Sequence, residues 1–290
     1  MNATRNLTAK REILGTRGGQ ERRQAFSLVE LLVLMGVLAI LGLLALPALA
    51  RTRPNSKIVQ CCNNLRQWGQ ASQMYSGENG DNMPRDGMSA TGTYAPGGNG
   101  DHADPNAWFN LLPPYLAEKT LIQYWAAPGF NANRMTCIPF PGGLGRIWHC
   151  PSASMTADQV NNHLAGSGAE GFFSYDMSID LKKQTADSNL AYPLMPKRTA
   201  LSRPAATVLF LDCAFNPQTD VVNGSPQYNS VDPASRWRSF ASRHNAGGVI
   251  NFIDGHAQYF TDRYVTNGAT TYEPRNPDII WNAPYRLANP

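Results

Sequence analysis

Three groups of residues in this chain have side chains suited to chemistry. His244, Asp254 and His256 lie within the stretch RHNAGGVINFIDGHAQYF. A His, carboxylate and His set can hold zinc or iron with open positions for a substrate. The second group is five cysteines, Cys61, Cys62, Cys137, Cys150 and Cys213. In an oxidising compartment they form up to two disulfides and leave one thiol. No pair has the spacing of a metal knuckle, and adjacent cysteines rarely bond to each other because the geometry is strained. Two readings stay open: one of Cys61 and Cys62 bonded to Cys150, or buried free thiols. The third is a lone carboxylate, Glu30, near the start of the greasy segment RRQAFSLVELLVLMGVLAILGLLALPALA, residues 22–50.

For the first group, structure offers a simpler account than catalysis. Asp254 and Gly255 separate two apolar-rich runs, and an Asp-Gly dipeptide there signals a hairpin turn. His244 then hydrogen-bonds the hairpin backbone, and His256 is a surface strand residue. Neither a Gly-x-Ser-x-Gly elbow nor a His-Glu-x-x-His pair occurs. The residues therefore point away from an enzyme, and no cofactor or metal is expected. The acids of the Gly/Asn/Asp-rich stretch 77–110 match no ordered calcium loop and read as turn chemistry.

Charge and hydropathy set the organisation. The net charge of +4 comes wholly from residues 1–25, where Arg5, Lys10, Arg11, Arg17, Arg22 and Arg23 face only Glu12 and Glu21. The neutral remainder lacks the basic footprint that nucleic-acid binding needs. From Leu31 to Ala50 no residue is charged or strongly polar, which is membrane-spanning length. Basic flanks stay inside, so the expectation is a single-pass inner-membrane protein with a cytoplasmic N-terminus and its C-terminal domain periplasmic or extracellular. Ordinary secretion would use Ala48-Leu49-Ala50 as its cleavage site, and twin-arginine export would use Arg22 and Arg23. Neither explains an ionisable group in a segment about to be discarded.

The stretch QAFSLVELL resembles the processing signal of type IV pilins and pseudopilins. There a basic leader ends in a small residue, followed by Phe and, at the fifth mature position, Glu. The resemblance implies cleavage between Ala25, standing where Gly is usual, and Phe26, with N-methylation of Phe26. It makes Glu30 the assembly carboxylate and Pro47 the helix-kinking proline of that family. An unpaired carboxylate in a dry core of packed helices is costly, whereas one facing the free amine of a neighbour's Phe26 is paired, so the charge rewards correct axial register. The implied partners are a prepilin peptidase, an assembly ATPase and platform protein, the membrane, and other pilin-like subunits through self-association.

Four segments follow: a basic leader, 1–25; a transmembrane half-helix, 26–50; an amphipathic half, 51–76; and a globular domain, 77–290. Ile58, Cys62, Leu65, Trp68 or Gly69, and Tyr75 lie near one helical stripe, with Pro47 and Pro54 loosening the path. A short helix over 108–125 is interrupted by Pro113 and Pro114. Strands are expected at 146–153, 171–179, 206–214, 247–253 and 256–260. The fold class is α+β, a long N-terminal helix packed on an antiparallel sheet with a C-terminal hairpin. CCNNLRQWGQASQMY, WHCPSA and the RHNAGGVINFIDGHAQYF stretch are similar to a subgroup of large prepilin-like proteins with a His, nine residues and then Asp-Gly. His244, Asp254 and Gly255 fit that spacing. The function expected is a filament subunit of a pilus or secretion pseudopilus; the alternative is a surface adhesin using Trp108, Trp125, Trp148 and Trp237 on exposed loops.

Overall fold

Ser27 and Glu30 open the first helix with a capping box. The Ser27 N–H donates to Glu30 Oε2 at 2.9 Å, and the Glu30 N–H donates to Ser27 Oγ at 3.2 Å. The computed structural model describes residues 27–88, 102–127, 134–163, 171–181, 195–220, 231–266, 276 and 278–281. Ala25 and Phe26 lie outside the described residues, and the side chain of Pro47 does too. Helix α1, Leu28–Glu78, is helical throughout, including positions Pro47 and Pro54. It ends where Gly80 takes a left-handed φ of 62° and Asp81 N–H reaches Ser76 O at 2.8 Å.

The chain forms two compact units, Met1–Ala50 and Arg51–Pro290. In the first, every large apolar side chain from Leu28 to Leu41 is 49–78% exposed. The expected single-pass inner-membrane placement is overturned here. Among the described residues no helix is long and apolar enough to cross a membrane.

The second unit combines helices with a five-stranded sheet. Short helices α2 (Trp108–Leu111), α3 (Leu121–Trp125), α4 (Arg134–Cys137) and α5 (Ala157–His163) precede the first strand. The strands are β1 (Tyr175–Ser178), β2 (Val208–Asp212), β3 (Ala234–Ser235), β4 (Gly247–Phe252) and β5 (Ala257–Thr261), followed by α6 (Asp262–Thr266). Their spatial order is β3-β1-β2-β4-β5. Three pairings are antiparallel, as expected, but β1 and β3 run parallel.

The outer half of α1 lies in the main core. Its buried residues are Cys61, Asn64, Leu65, Trp68, Gly69, Ala71, Ser72 and Ser76, spaced at three and four. Ile58, Cys62 and Tyr75, expected on this stripe, are half-buried at its margin. Trp68 meets Trp108 and Trp148 edge-on at 5.2 and 5.4 Å and tilts against Phe210 of β2 at 6.5 Å. Gly69 permits the close approach: a Cβ there would lie 2.4 Å from Asn251 Nδ2. On β2 the pairing slips between Val208 and Phe210, so Leu209 and Phe210 both join the main core. Val208 and Leu211 join a second cluster with Trp237, Phe240, Ile250, Val265, Ile279 and Trp281.

The hairpin expected around Asp254-Gly255 is β4–β5. It closes through the loop 253–256, where Gly255 N–H bonds Phe252 O at 2.8 Å and Gly255 has a φ of 90°. Of the two turn residues only Gly255 has positive φ. The strand expected at 146–153 is instead a 3-10 turn, Arg146–Trp148, after a left-handed Gly145 with φ 64°. Pro151 removes the next donor, and Cys150 N–H goes to Ser174 Oγ at 2.7 Å rather than to a ladder. The strand expected over 171–179 shrinks to β1.

Candidate metal centre

Strand pairing brings the first two functional side chains to one face. Tyr175 on β1 stands opposite Asp212, the last residue of β2, and directly opposed residues point the same way. Asp212 also follows Phe210 by two positions and so shares its face, toward α1. Cys61 of α1 meets both: its Sγ lies 3.5 Å from Asp212 Oδ2 and receives the Tyr175 hydroxyl at 3.4 Å. Asn64, one turn on, donates to Tyr175 Oη at 3.4 Å and to His149 O at 3.2 Å, which ties the helix to the segment carrying Cys150.

His244 completes the group from the approach to β4. Its N–H bonds Gly247 O at 2.9 Å, and left-handed Asn245 and Ala246 form the tight turn between. Its carbonyl accepts the Tyr259 hydroxyl at 2.8 Å. Nε2 is 3.0 Å from Cys150 Sγ and 3.6 Å from Asp212 Oδ2. One ligand atom each from Cys61, Cys150, Asp212 and His244 falls within 4.8 Å of all the others. Residue exposures are 0%, 1%, 0% and 3%.

Arg243 lies alongside. It pairs through Nη2 with Asp212 Oδ1 and through Nη1 with Asp220 Oδ2 at 2.7 Å, its own side chain being 2% exposed. Nη1 also donates to Cys213 O at 2.5 Å. One carboxylate oxygen of Asp212 is thus held by the guanidinium, and the other faces the cysteines and the imidazole. Burial, reinforced by Cys150, pushes the Cys61 thiol well above its ordinary range. Burial also acts upward on Cys150, but the hydrogen bond with Cys61, the Arg243 charge and His244 outweigh it and hold that thiol well below. The four atoms offer two sulfurs, one nitrogen and one oxygen, a set that suits zinc. Burial leaves no open side for a substrate.

All five cysteines are free thiols. Of the two partners considered for Cys150, Cys61 is the one beside it, as a thiol rather than a disulfide. No family model, curated protein or solved structure matches this chain.

Of the His244, Asp254 and His256 set, only His244 joins the cluster; Asp254 and His256 are the turn and surface residues that the sequence suggests. Asp254 and His256 sit beyond the far end of β4, pairing with each other at 2.5 Å (Asp254 Oδ1 to His256 Nδ1) on the surface. His256 stacks on Phe252 at 4.4 Å beside an open cleft of about 450 Å³ lined also by Tyr264 and Asp278. Gly255 lies against α1, where a Cβ would come within 2.5 Å of Gln73 Nε2. Trp108, Trp148 and Trp237, proposed from sequence as exposed binding residues, are each 1% exposed and belong to the cores. Trp125 is half-buried and stacks on His102 at 3.7 Å. Two acids of the 77–110 stretch serve turns, Asp86 accepting the Met88 N–H at 3.0 Å and Asp104 that of Asn106 at 2.9 Å, whereas Asp81 makes a distant contact, accepting the Thr199 N–H at 2.8 Å and pairing with Arg198.

Asp212 had no local signal, because its partners lie far away in the chain. The one hint was a carboxylate closing the apolar run VLFLD, where a buried strand end calls for a partner.

Proposed function

We propose that this chain is a non-enzymatic structural subunit that assembles with copies of itself or related subunits into a type IV pilin-like filament, through the apolar half of α1. One observation carries the reading: eleven large apolar side chains between Leu28 and Leu41 are exposed around the whole helix, interrupted by a single charge, Glu30. A helix apolar on all sides needs to be covered on all sides, and a bundle of like helices does that. The resemblance of QAFSLVELL to the prepilin signal supplies the route: cleavage after Ala25 by a prepilin peptidase, methylation of Phe26, and addition to the filament by an assembly ATPase and platform protein. In such a bundle Glu30 pairs with a neighbour's N-terminal amine. The finer description of the fold, an amphipathic helix carrying a pilin-like sheet, belongs to the same proposal.

Two measurements test it together. Mass spectrometry of the mature chain is expected to find methylated Phe26 at the N-terminus. Cross-linking in the producing cell is expected to trap copies joined through residues 28–41, and Leu34→Arg to abolish those products. A mature chain starting beyond Ala50, or assembly indifferent to Leu34→Arg, would remove the basis of the reading.

A further inference from the structure

We propose that Cys61, Cys150, Asp212 and His244 form a closed structural Zn²⁺ site that holds one ion through two thiolates, one carboxylate oxygen and one imidazole nitrogen. The site is independent of filament assembly.

The distances fit one tetrahedral ion. With Zn–S of ~2.3 Å and Zn–N or Zn–O of ~2.0–2.1 Å, tetrahedral angles place unlike ligand atoms roughly 3.3–3.6 Å apart. The contacts from Cys61 Sγ to Asp212 Oδ2 and from His244 Nε2 to Asp212 Oδ2 are 3.5 and 3.6 Å. Cys150 Sγ to His244 Nε2, at 3.0 Å, opens by about half an ångström to receive the ion. All four atoms lie within 4.8 Å of one another, too close to surround a multi-iron cluster and right for a single ion. Thiolate with imidazole selects zinc over the hard cations.

The surroundings are those of a ligand set held in place. Arg243 occupies Asp212 Oδ1 and leaves Oδ2 as the donor atom. Tyr175 donates to Cys61 Sγ at 3.4 Å and Ser152 N–H to Cys150 Sγ at 3.5 Å, bonds that support thiolates. Two thiolates, a carboxylate and Zn²⁺ sum to one negative charge, and the buried Arg243 guanidinium, shared between Asp212 and Asp220, sits beside it. Four protein ligands and complete burial leave no position for water or substrate, which makes the site structural rather than catalytic.

The ion would join segments that are remote in the chain. Cys61 and Asp212 are 151 residues apart, and Cys150 and His244 are 94. Binding would therefore be coupled to folding of the second unit, and a chelator would strip the metal only as fast as the unit opens.

The test uses the full chain, purified without chelator and analysed for metal by plasma mass spectrometry. About one zinc per chain is expected. Cys150→Ser and His244→Asn are expected to lose it, and Cys137→Ser, outside the cluster, to keep it. Because the ligand variants can fail to fold, the unaltered chain is also refolded with Co²⁺. Thiolate-to-cobalt charge-transfer bands with visible bands of tetrahedral intensity are expected. Zinc retained at full stoichiometry in both ligand variants, no thiolate band with cobalt, or a Cys61–Cys150 disulfide found by alkylation and peptide mapping of the unreduced protein would each overturn the proposal.

Discussion

Replacing Gly69 with Ala tests how closely α1 and the sheet are fitted. In an isolated helix the change would stabilise by about 1 kcal/mol, since Gly is the poorest helix former after Pro. Here the new methyl would lie 2.4 Å from Asn251 Nδ2 and 2.8 Å from Oδ1, so something must move. Asn251 cannot yield cheaply. It is fully buried, and its Nδ2 donates to Gly255 O at 3.1 Å and to His256 O at 3.0 Å, which fixes the hairpin loop. Overpacking costs about 1–3 kcal/mol, and losing the two hydrogen bonds about 1 kcal/mol each. After the gain in propensity, the net loss is about 2–4 kcal/mol, equivalent to a fall of roughly 4–16 °C in melting temperature for a unit of this size. Gly77, also in α1, has no atom within 4 Å of its virtual Cβ, and Gly77→Ala should be neutral or stabilising by up to ~1 kcal/mol. Urea denaturation of both variants beside the unaltered chain decides the matter. If Gly69→Ala matches Gly77→Ala, the helix does not approach the sheet as described.

Three further predictions follow from the same packing and charges. Glu30→Gln keeps the capping box with Ser27, because Gln serves equally at that position, and so should leave helix content unchanged by circular dichroism. If it nevertheless blocks incorporation into filaments, the negative charge is what assembly uses; normal incorporation would remove the charge-pairing role. Arg243→Met leaves Asp212 and Asp220 buried without their guanidinium and should cost about 3–5 kcal/mol in chemical denaturation, so a loss under 1 kcal/mol would contradict the arrangement. Burial raises the Asp232 carboxyl to about 8, so the folded state binds its proton more tightly than the unfolded chain, and stability should fall as pH rises from about 4 through 8. Asp232→Asn should flatten that slope in melts taken across the range; an unchanged slope would show that Asp232 does not cause it.

Local chemistry was legible in the sequence, and convergence was not. The Asp254-Gly255 turn could be read because a dipeptide between two apolar runs carries its own conformational requirement. The stripe on α1 is legible at Leu65, Trp68 and Gly69 and one residue off at Cys62 and Tyr75, because Asn64, Ser72 and Ser76 are buried there and apolar periodicity does not register buried polar residues. RIWHCPSA looks extended, which puts Trp148 on a strand. What overrides its propensity is Ser174, 24 residues away, which takes the Cys150 N–H. Glu30 stands out as a lone charge in an apolar run, while Ser27-x-x-Glu30 spells a helix cap in the same letters. The Cys61, Cys150, Asp212 and His244 group could not be found from spacing, since its members meet only after a helix, a loop and two strand ends have been brought together.

The interval between His244 and Asp254-Gly255 acts as a ruler. Strand β4 carries a fixed point at each end: His244 reaches the group around Cys61, and Gly255 rests on Gln73. Those two positions on α1 are twelve residues apart, about 18 Å at 1.5 Å per residue, and the six residues of Gly247–Phe252 measure about 20 Å in extended form. The strand is thus cut to the length of helix it lies along. Adding or deleting one residue in it would shift one end by ~3.3 Å and turn every following side chain to the other face, freeing either the imidazole or the glycine. The ten residues between His244 and Gly255 are therefore a measured length, held at one end by the group around Cys61 and at the other by Gln73.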